Sequence, residues 1–355
     1  MRRTSQNGAP SPRSSAQNRG QAPRKHRKHK ITGALSVLVA ALAFVASTST
    51  AAESATPLNV TFVSALINDS YFVTIKCGAM AEAKSLGVHL TWTGPTSNSV
   101  SAELSAFQAA SVTNPDGMIL APFSNTGWSG VIKPLMQKGV PVVLSGETIT
   151  PPDGLTTFIS NFLAGGNSLA GEIGKLTGGK GTMAIVADTT GNKTDSDRYT
   201  GLIPILKKRY PNLKIVGPYY ASNSTSMAAS VTSSIILAQP NLSLVYASSG
   251  PEAVGSASAI AAAHDSSKIK LISFDSSPPQ ITLLKQGKLA ATIGQSPYLT
   301  GVLDVKADVD YLRAHGVGKG PVPASAGLTY TPTVLLTPQN VNSALGKKYQ
   351  YLTHC

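Results

Sequence analysis

The chain has 355 residues and a formal net charge of +13, from 30 Lys and Arg against 17 Asp and Glu. Nine of the positive charges and none of the negative ones fall in residues 1–52, so the remainder carries only about +4, which argues against a nucleic-acid-binding surface on the folded part. The two cysteines and six scattered histidines give no zinc-ligand spacing.

Residues 1–52 read as a signal peptide. Basic residues from Arg2 to Lys30 precede an apolar run at 31–45 that is too short to span a bilayer, and small residues follow at 46–52. Cleavage is expected near Ala52. No lipobox Cys closes the apolar run, so a free periplasmic or secreted protein is expected rather than a lipid-anchored one.

Beyond the signal, short β-branched runs alternate with Ala- and Leu-rich stretches of helical spacing, the pattern of parallel α/β layers. Strands are expected at 59–65, 88–92, 117–120, 141–144, 182–187, 214–218, 244–246, 270–274 and 290–293. Helices are expected at 71–86, 100–112, 128–137, 163–176, 197–210, 226–238, 252–264, 279–285 and 299–315. Each helical stretch is followed by Gly, Pro or Asn. Right-handed crossovers then place helices on both faces of each sheet.

A Pro-, Thr- and Gly-rich break at 148–160 divides the strands into two groups. The expected architecture is therefore two Rossmann-like lobes: 53–160 as lobe 1, with 296–355 returning to it in part, and 161–295 as lobe 2. A Gly- and Pro-spaced linker at 316–327 leads to a C-terminal strand, short helix and tail.

Catalytic motifs are missing where a hydrolase or nucleotide enzyme would carry them. No Ser sits in a Gly-x-Ser-x-Gly elbow. The GGKGT run at 178–182 precedes its strand and lacks the Ser or Thr after Lys that a phosphate loop requires. The first strand is not followed by Gly-x-Gly-x-x-Gly. No enzymatic activity, cofactor or metal is expected. Cys77 and Cys355, the only cysteines, form a disulfide candidate in an oxidising compartment; two separate thiols are the other reading.

Several segments in order resemble the sugar-binding proteins of ABC importers, of the ribose-binding, type I periplasmic-binding kind. They are NDSYF at 68–72, GAMAEAKSLG at 78–87, PDGMILAP at 115–122, GVPVV at 139–143, SNFLAGG at 160–166, RYTG at 198–201, ISFD at 272–275 and LKQGKLAATIGQSP at 284–297. The resemblance implies a type I periplasmic-binding fold with a multi-strand hinge and a ligand between the lobes at the carboxyl ends of the strands.

A sugar presents apolar C–H faces and a rim of hydroxyls, so its site needs flat aromatic surfaces beside acceptors and forked donors. By the resemblance, Tyr71 and Phe72 stack on the ring, Asp275 accepts hydroxyl hydrogens, Arg198 donates in a fork, and Gln295 at the hinge does both. Local readings stand beside these: a hydrophobic staple for Tyr71 and Phe72, an exposed helix-start charge for Arg198, a helix cap for Asp275 and a hinge contact for Gln295.

The chain also departs from the ribose-type pattern. Gly146 and Glu147 replace an adjacent Asp and Arg, Asp69 stands where Asn is usual, and Ser249 stands where Asn is common. These positions remain ligand-contact candidates but argue against copying ribose over. Some relatives share a Cys in the first helix and a terminal Cys, which implies a Cys77–Cys355 bridge.

The expected function is non-enzymatic capture of a monosaccharide, polyol or similar polyhydroxy ligand, by a monomer that delivers it to the membrane permease of an ABC importer. A sensory protein serving a chemoreceptor or sensor kinase is the alternative, with an α/β enzyme using the interlobe cleft behind it. A transcriptional regulator would need a helix-turn-helix where this chain has its signal.

Overall fold

The computed structural model describes residues 56–97 and 99–355. The signal peptide expected at 1–52 lies outside the described residues. The first lobe runs β1 (Asn59–Ser64), α1 (Ser70–Leu86), β2 (His89–Thr93), α2 (Val100–Ser111), β3 (Gly117–Ala121), α3 (Ser129–Gln137), β4 (Val142–Ser145) and β5 (Thr156–Ser160). The second runs α4 (Phe162–Thr177), β6 (Gly181–Ala187), α5 (Lys193–Thr200), α6 (Leu202–Arg209), β7 (Leu213–Tyr220), α7 (Thr225–Ala238), β8 (Leu242–Ala247), α8 (Gly250–Ala262), β9 (Lys270–Phe274), α9 (Pro278–Lys285) and β10 (Ala291–Gly294). The C-terminal part adds α10 (Pro297–His315), β11 (Leu328–Thr331), β12 (Val334–Leu336) and α11 (Ala344–Lys348).

These strands form two six-stranded sheets, ordered β11-β5-β4-β3-β1-β2 and β12-β10-β9-β8-β6-β7. Every pairing is parallel except β10 with β12. Two parallel sheets flanked by helices are the architecture expected from the βα alternation.

Both faces of each sheet are covered, which is why the strands read as continuous apolar runs. In the first sheet Val60, Phe62 and Ile119 face α1 and α10, while Val63, Met118 and Leu120 pack with Phe107 of α2 and Ile132 of α3. In the second, Met183, Ile185 and Phe274 meet α4 and α6, and Ala184, Val186 and Val245 meet α7 and α8. Each of the larger of these side chains contributes about 1.5–3 kcal/mol by leaving water.

The helices begin where short polar side chains can take the free amides. Asp69 accepts from Tyr71 N at the start of α1, and Asn192 accepts from Asp195 N at the start of α5. Two glycines bring α1 and α10 into backbone contact. A Cβ at Gly78 would overlap the Tyr298 carbonyl, and one at Gly301 would overlap the Ile75 carbonyl.

The chain passes between the sheets at three places: from β5 to α4 around Asn161, from β10 to α10 around Gln295, and from β11 to β12 at Pro332 and Thr333. The tail returns to α1, where Leu352 N donates to Thr74 Oγ1 at 2.7 Å. Cys355 is disulfide-bonded to Cys77, with their Cα atoms 5.3 Å apart.

Three elements differ from the sequence reading. Residues 156–160, assigned to the break, form β5; Pro151, Pro152 and Gly154 masked a Thr-Thr-Phe-Ile run that pairs with β4 and β11. The helix expected at 197–210 is two helices and begins four residues earlier, because Asn192 caps it and Gly201 divides it. The single C-terminal strand is two, one in each sheet.

Candidate functional site

The cleft lies between the carboxyl ends of the two sheets. Lobe 1 contributes Asp69 and the first turn of α1, Phe123 after β3, and Gly146 and Glu147 after β4. Lobe 2 contributes Asp188 after β6, Thr194, Asp195 and Arg198 on α5, and Ser249 after β8. The cleft holds a cavity of about 150 Å³, partly open to solvent. An apolar cavity of about 150 Å³ holds benzene, so this one has room for a single six-membered ring.

The aromatic wall follows from the cap of α1. Once Asp69 fixes the helix start, Tyr71 and Phe72 project from its first turn, with ring centroids 5.2 Å apart in an edge-to-face pair. The Tyr71 hydroxyl lies over Gly146, whose φ of 75° is in the left-handed region, and a Cβ there would sit 3.1 Å from that oxygen. The glycine that departs from the ribose-type pattern therefore gives Tyr71 its place.

Arg198 and Asp275 form the polar floor. Arg198 Nη1 donates to Asp275 Oδ2 and to the Ser248 carbonyl, both at 2.8 Å. The guanidinium carbon stands 4.7 Å from the Phe274 ring centroid, a stacking that a planar cation favours. Asp275 sits just after β9 at φ 77°, a conformation uncommon for a residue with a Cβ. Its Oδ1 accepts from Gln295 Nε2 and, at 2.8 Å, from the Tyr351 hydroxyl.

Tyr351 was not a candidate from sequence. Its ring is 5.6 Å from that of Tyr71 in a tilted edge contact, and its hydroxyl accepts from Gln295 Nε2 at 3.0 Å. A tail residue thus joins the first helix of lobe 1 to the hinge-side carboxylate of lobe 2. Only the fixed position of the tail reveals it.

Of the sequence candidates, Asp69, Tyr71, Phe72, Glu147, Arg198 and Ser249 line the cavity. Asp275 lines an adjoining recess that shares Asp69, and Gln295 is buried behind Asp275. The Ser249 hydroxyl is engaged by the Glu252 carboxylate. Burial is the main cause that pushes Glu252 up to about 7.

Glu147 bridges the lobes. One carboxylate oxygen accepts from the Thr148 amide at 2.7 Å and from its hydroxyl at 3.2 Å. The other accepts from the Thr194 amide at 3.0 Å and from the Thr194 hydroxyl, across the cleft. Burial raises its pKa against the lowering effect of these hydrogen bonds.

Asp188 and Asp195 were not candidates from sequence, although Asp188 directly follows the apolar run of β6, where ligand residues of parallel sheets collect, and Asp195 lies in the first turn of α5. Asp188 is 7% exposed, and its carboxylate takes a single protein hydrogen bond, from Asn192 Nδ2 at 3.0 Å. Burial, and then the neighbouring Asp195 carboxylate, push Asp188 up to about 6. Asp195 Oδ2 accepts from the Asp188 amide at 3.1 Å. Among the described residues no group of three or more His, Cys, Asp or Glu is arranged to hold a metal ion.

Two parallel α/β lobes, three connecting segments and a ring-sized polar cleft at the strand ends define a bilobal ligand-binding protein. A model of the periplasmic binding protein domain family matches residues 60–314, and the chain belongs to that family. It is 25% identical over 253 residues to the D-allose-binding periplasmic protein of Escherichia coli, covering 69% of this chain and 81% of that one. It is also 25% identical over 289 residues to a ribose import binding protein of Salmonella typhimurium, covering 81% and 96%.

Solved structures share the fold. An ABC transporter solute-binding protein from Agrobacterium vitis, bound with α-D-tagatopyranose, superposes with a TM-score of 0.75 at 21% identity, covering 83% of this chain and 99% of that one. Another from the same organism, with bound D-fucose, gives 0.74 at 22% identity, covering 82% and 99%.

Proposed function

We propose that the protein captures a small polyhydroxy ligand, a monosaccharide or polyol, outside the cytoplasm and without chemical turnover, and presents it to the permease of an ABC importer. The observation that carries this reading is the ring-sized cleft with Tyr71 and Phe72 on one wall and the linked Arg198, Asp275, Gln295 and Tyr351 beside it. Flat rings suit the C–H faces of a sugar, and a carboxylate beside a guanidinium suits vicinal hydroxyls. Membership of the periplasmic binding protein family, with sugar-binding relatives along most of the chain, supports it.

Closure follows from the chain path. Lobe 2 (161–295) turns against lobe 1 (53–160 with part of 296–355) about the three crossings, and Glu147 meeting Thr194 latches the closed form. The segment 1–52 is removed on export, leaving a monomer free in the periplasm or secreted. Glu147 then serves the ligand indirectly, since its oxygens are occupied by the two threonines.

The test is a calorimetric and thermal-shift screen over sugars and polyols, with mass spectrometry of any ligand released by denaturing the purified protein. A ligand at 100 times its Kd adds about 2.7 kcal/mol of stability, a readily measured shift. Absence of binding across the whole panel, with no released polyhydroxy compound, refutes the proposal.

A further inference from the structure

The charge lining the cavity is one-sided. Among the described residues Asp69, Glu147, Asp188 and Asp195 face it, with Arg198 as the only cation. That cation is already matched, since Arg198 is ion-paired to Asp275 at 2.8 Å. Glu147 is also satisfied, by Thr148 and Thr194. Asp188 is not: more than nine-tenths buried, it lines the cavity with one hydrogen bond to its carboxylate, from Asn192, and among the described residues no basic group within ion-pair distance, Arg198 only partly offsetting its charge from farther away. Asp195 stands next to it, more deeply buried still.

A neutral sugar supplies no counter-charge to Asp188 and Asp195, whose burial already works against their ionised forms. A bare metal ion is a poor answer, because no three ligating side chains converge among the described residues. The opposite wall carries the rings of Tyr71, Phe72 and Phe123, whose faces attract an organic cation. An ammonium group held between carboxylates and aromatic rings fits both walls.

We infer that the ligand is an amine-bearing polyhydroxy ring, an amino sugar or aminocyclitol, whose ammonium group is received by Asp188 and Asp195. This inference rests on the polyhydroxy-ligand reading above and narrows it. Against the ribose-type pattern, Asp69 and Glu147 add negative charge and Gly146 removes one carboxylate, a net move toward negative charge.

Matched pairs test it by titration calorimetry on the exported chain: D-glucosamine against D-glucose, D-galactosamine against D-galactose, and an aminocyclitol against myo-inositol, with N-acetyl-D-glucosamine as the uncharged control. The amine member of at least one pair should bind about tenfold tighter or more, N-acetylation should erase the gain, and raising the salt concentration should weaken the amine more than its neutral partner. Asp188→Asn should narrow the ratio; because the pairs and the salt series are read on the wild type, a variant that fails to fold does not remove the test. Neutral members binding as tightly as the amines, or neutral sugars binding while every amine fails, overturns the inference and leaves polyhydroxy capture standing. Failure of both classes overturns the inference, and polyhydroxy capture falls with it only when the wider screen is also empty.

Discussion

Opening the Cys77–Cys355 bridge perturbs the fold and the site together. The bond spans 278 positions, and the chain-entropy relation, −2.1 − 1.5R ln n cal/mol/K, then gives about 5.6 kcal/mol at 25 °C for the constraint it places on the unfolded chain. Measured bridges deliver about 2–4 kcal/mol, so Cys77→Ser should lower the unfolding free energy by that amount in urea titrations under oxidising conditions. Cys355→Ser should behave alike, and the wild type in reductant should match both. The effect reaches the cleft because Tyr351, which bonds Asp275, precedes the anchored cysteine in the tail. Both serine variants should therefore also bind ligand more weakly. A change in stability below about 0.5 kcal/mol, the range of ordinary surface substitutions, would refute the reasoning, as would a variant that reductant destabilises further.

Gly301→Ala should destabilise by about 1–3 kcal/mol, the usual cost of overpacking, since the new methyl meets the Ile75 carbonyl of α1; thermal unfolding measures it. Glu147→Gln removes the charge that receives the Thr194 donors, each such bond contributing about 1.5–3 kcal/mol, so ligand affinity should fall about tenfold or more, with more open molecules in solution scattering. Tyr351→Phe should weaken binding several-fold while unfolding shifts by about 1 kcal/mol, the net contribution of one hydrogen bond. Glu103 is fully buried, accepts only from Phe123 N at 3.0 Å, and burial pushes it up to about 8. A folded pKa above the unfolded value of 4.5 makes its contribution complete below that value and lost as pH rises through about 8. Stability measured from pH 5 to 9 should decline with pH, and Glu103→Gln should flatten the decline.

Much of the fold was legible because its signals are local. The apolar runs at β1, β3, β4, β6 and β9 are buried on both faces of their sheets and so depend little on detailed context. β5 was hidden by the prolines and glycine before it, and β12 by its three-residue length. The candidates Tyr71, Phe72, Arg198 and Asp275 came from segments that resemble a family, and the structure gathers Tyr71, Phe72 and Arg198 at the cavity and Asp275 in the recess beside it. The site was illegible where a side chain arrives from elsewhere in the chain, as Tyr351 does.

By itself the sequence determined the alternation of strands and helices, their division into two sheets, and the residue types needed to hold a hydroxylated ring. Periodicity and helix caps are properties of a few consecutive residues, so they survive without coordinates. Only the tertiary structure decided that Glu147 spends its oxygens on Thr148 and Thr194, that Gln295 stands behind Asp275, and that Asp188 faces the cavity with a single hydrogen bond to its carboxylate. Those outcomes depend on distances between segments far apart in the chain, set by how two packed lobes and a disulfide-tied tail converge on one cleft.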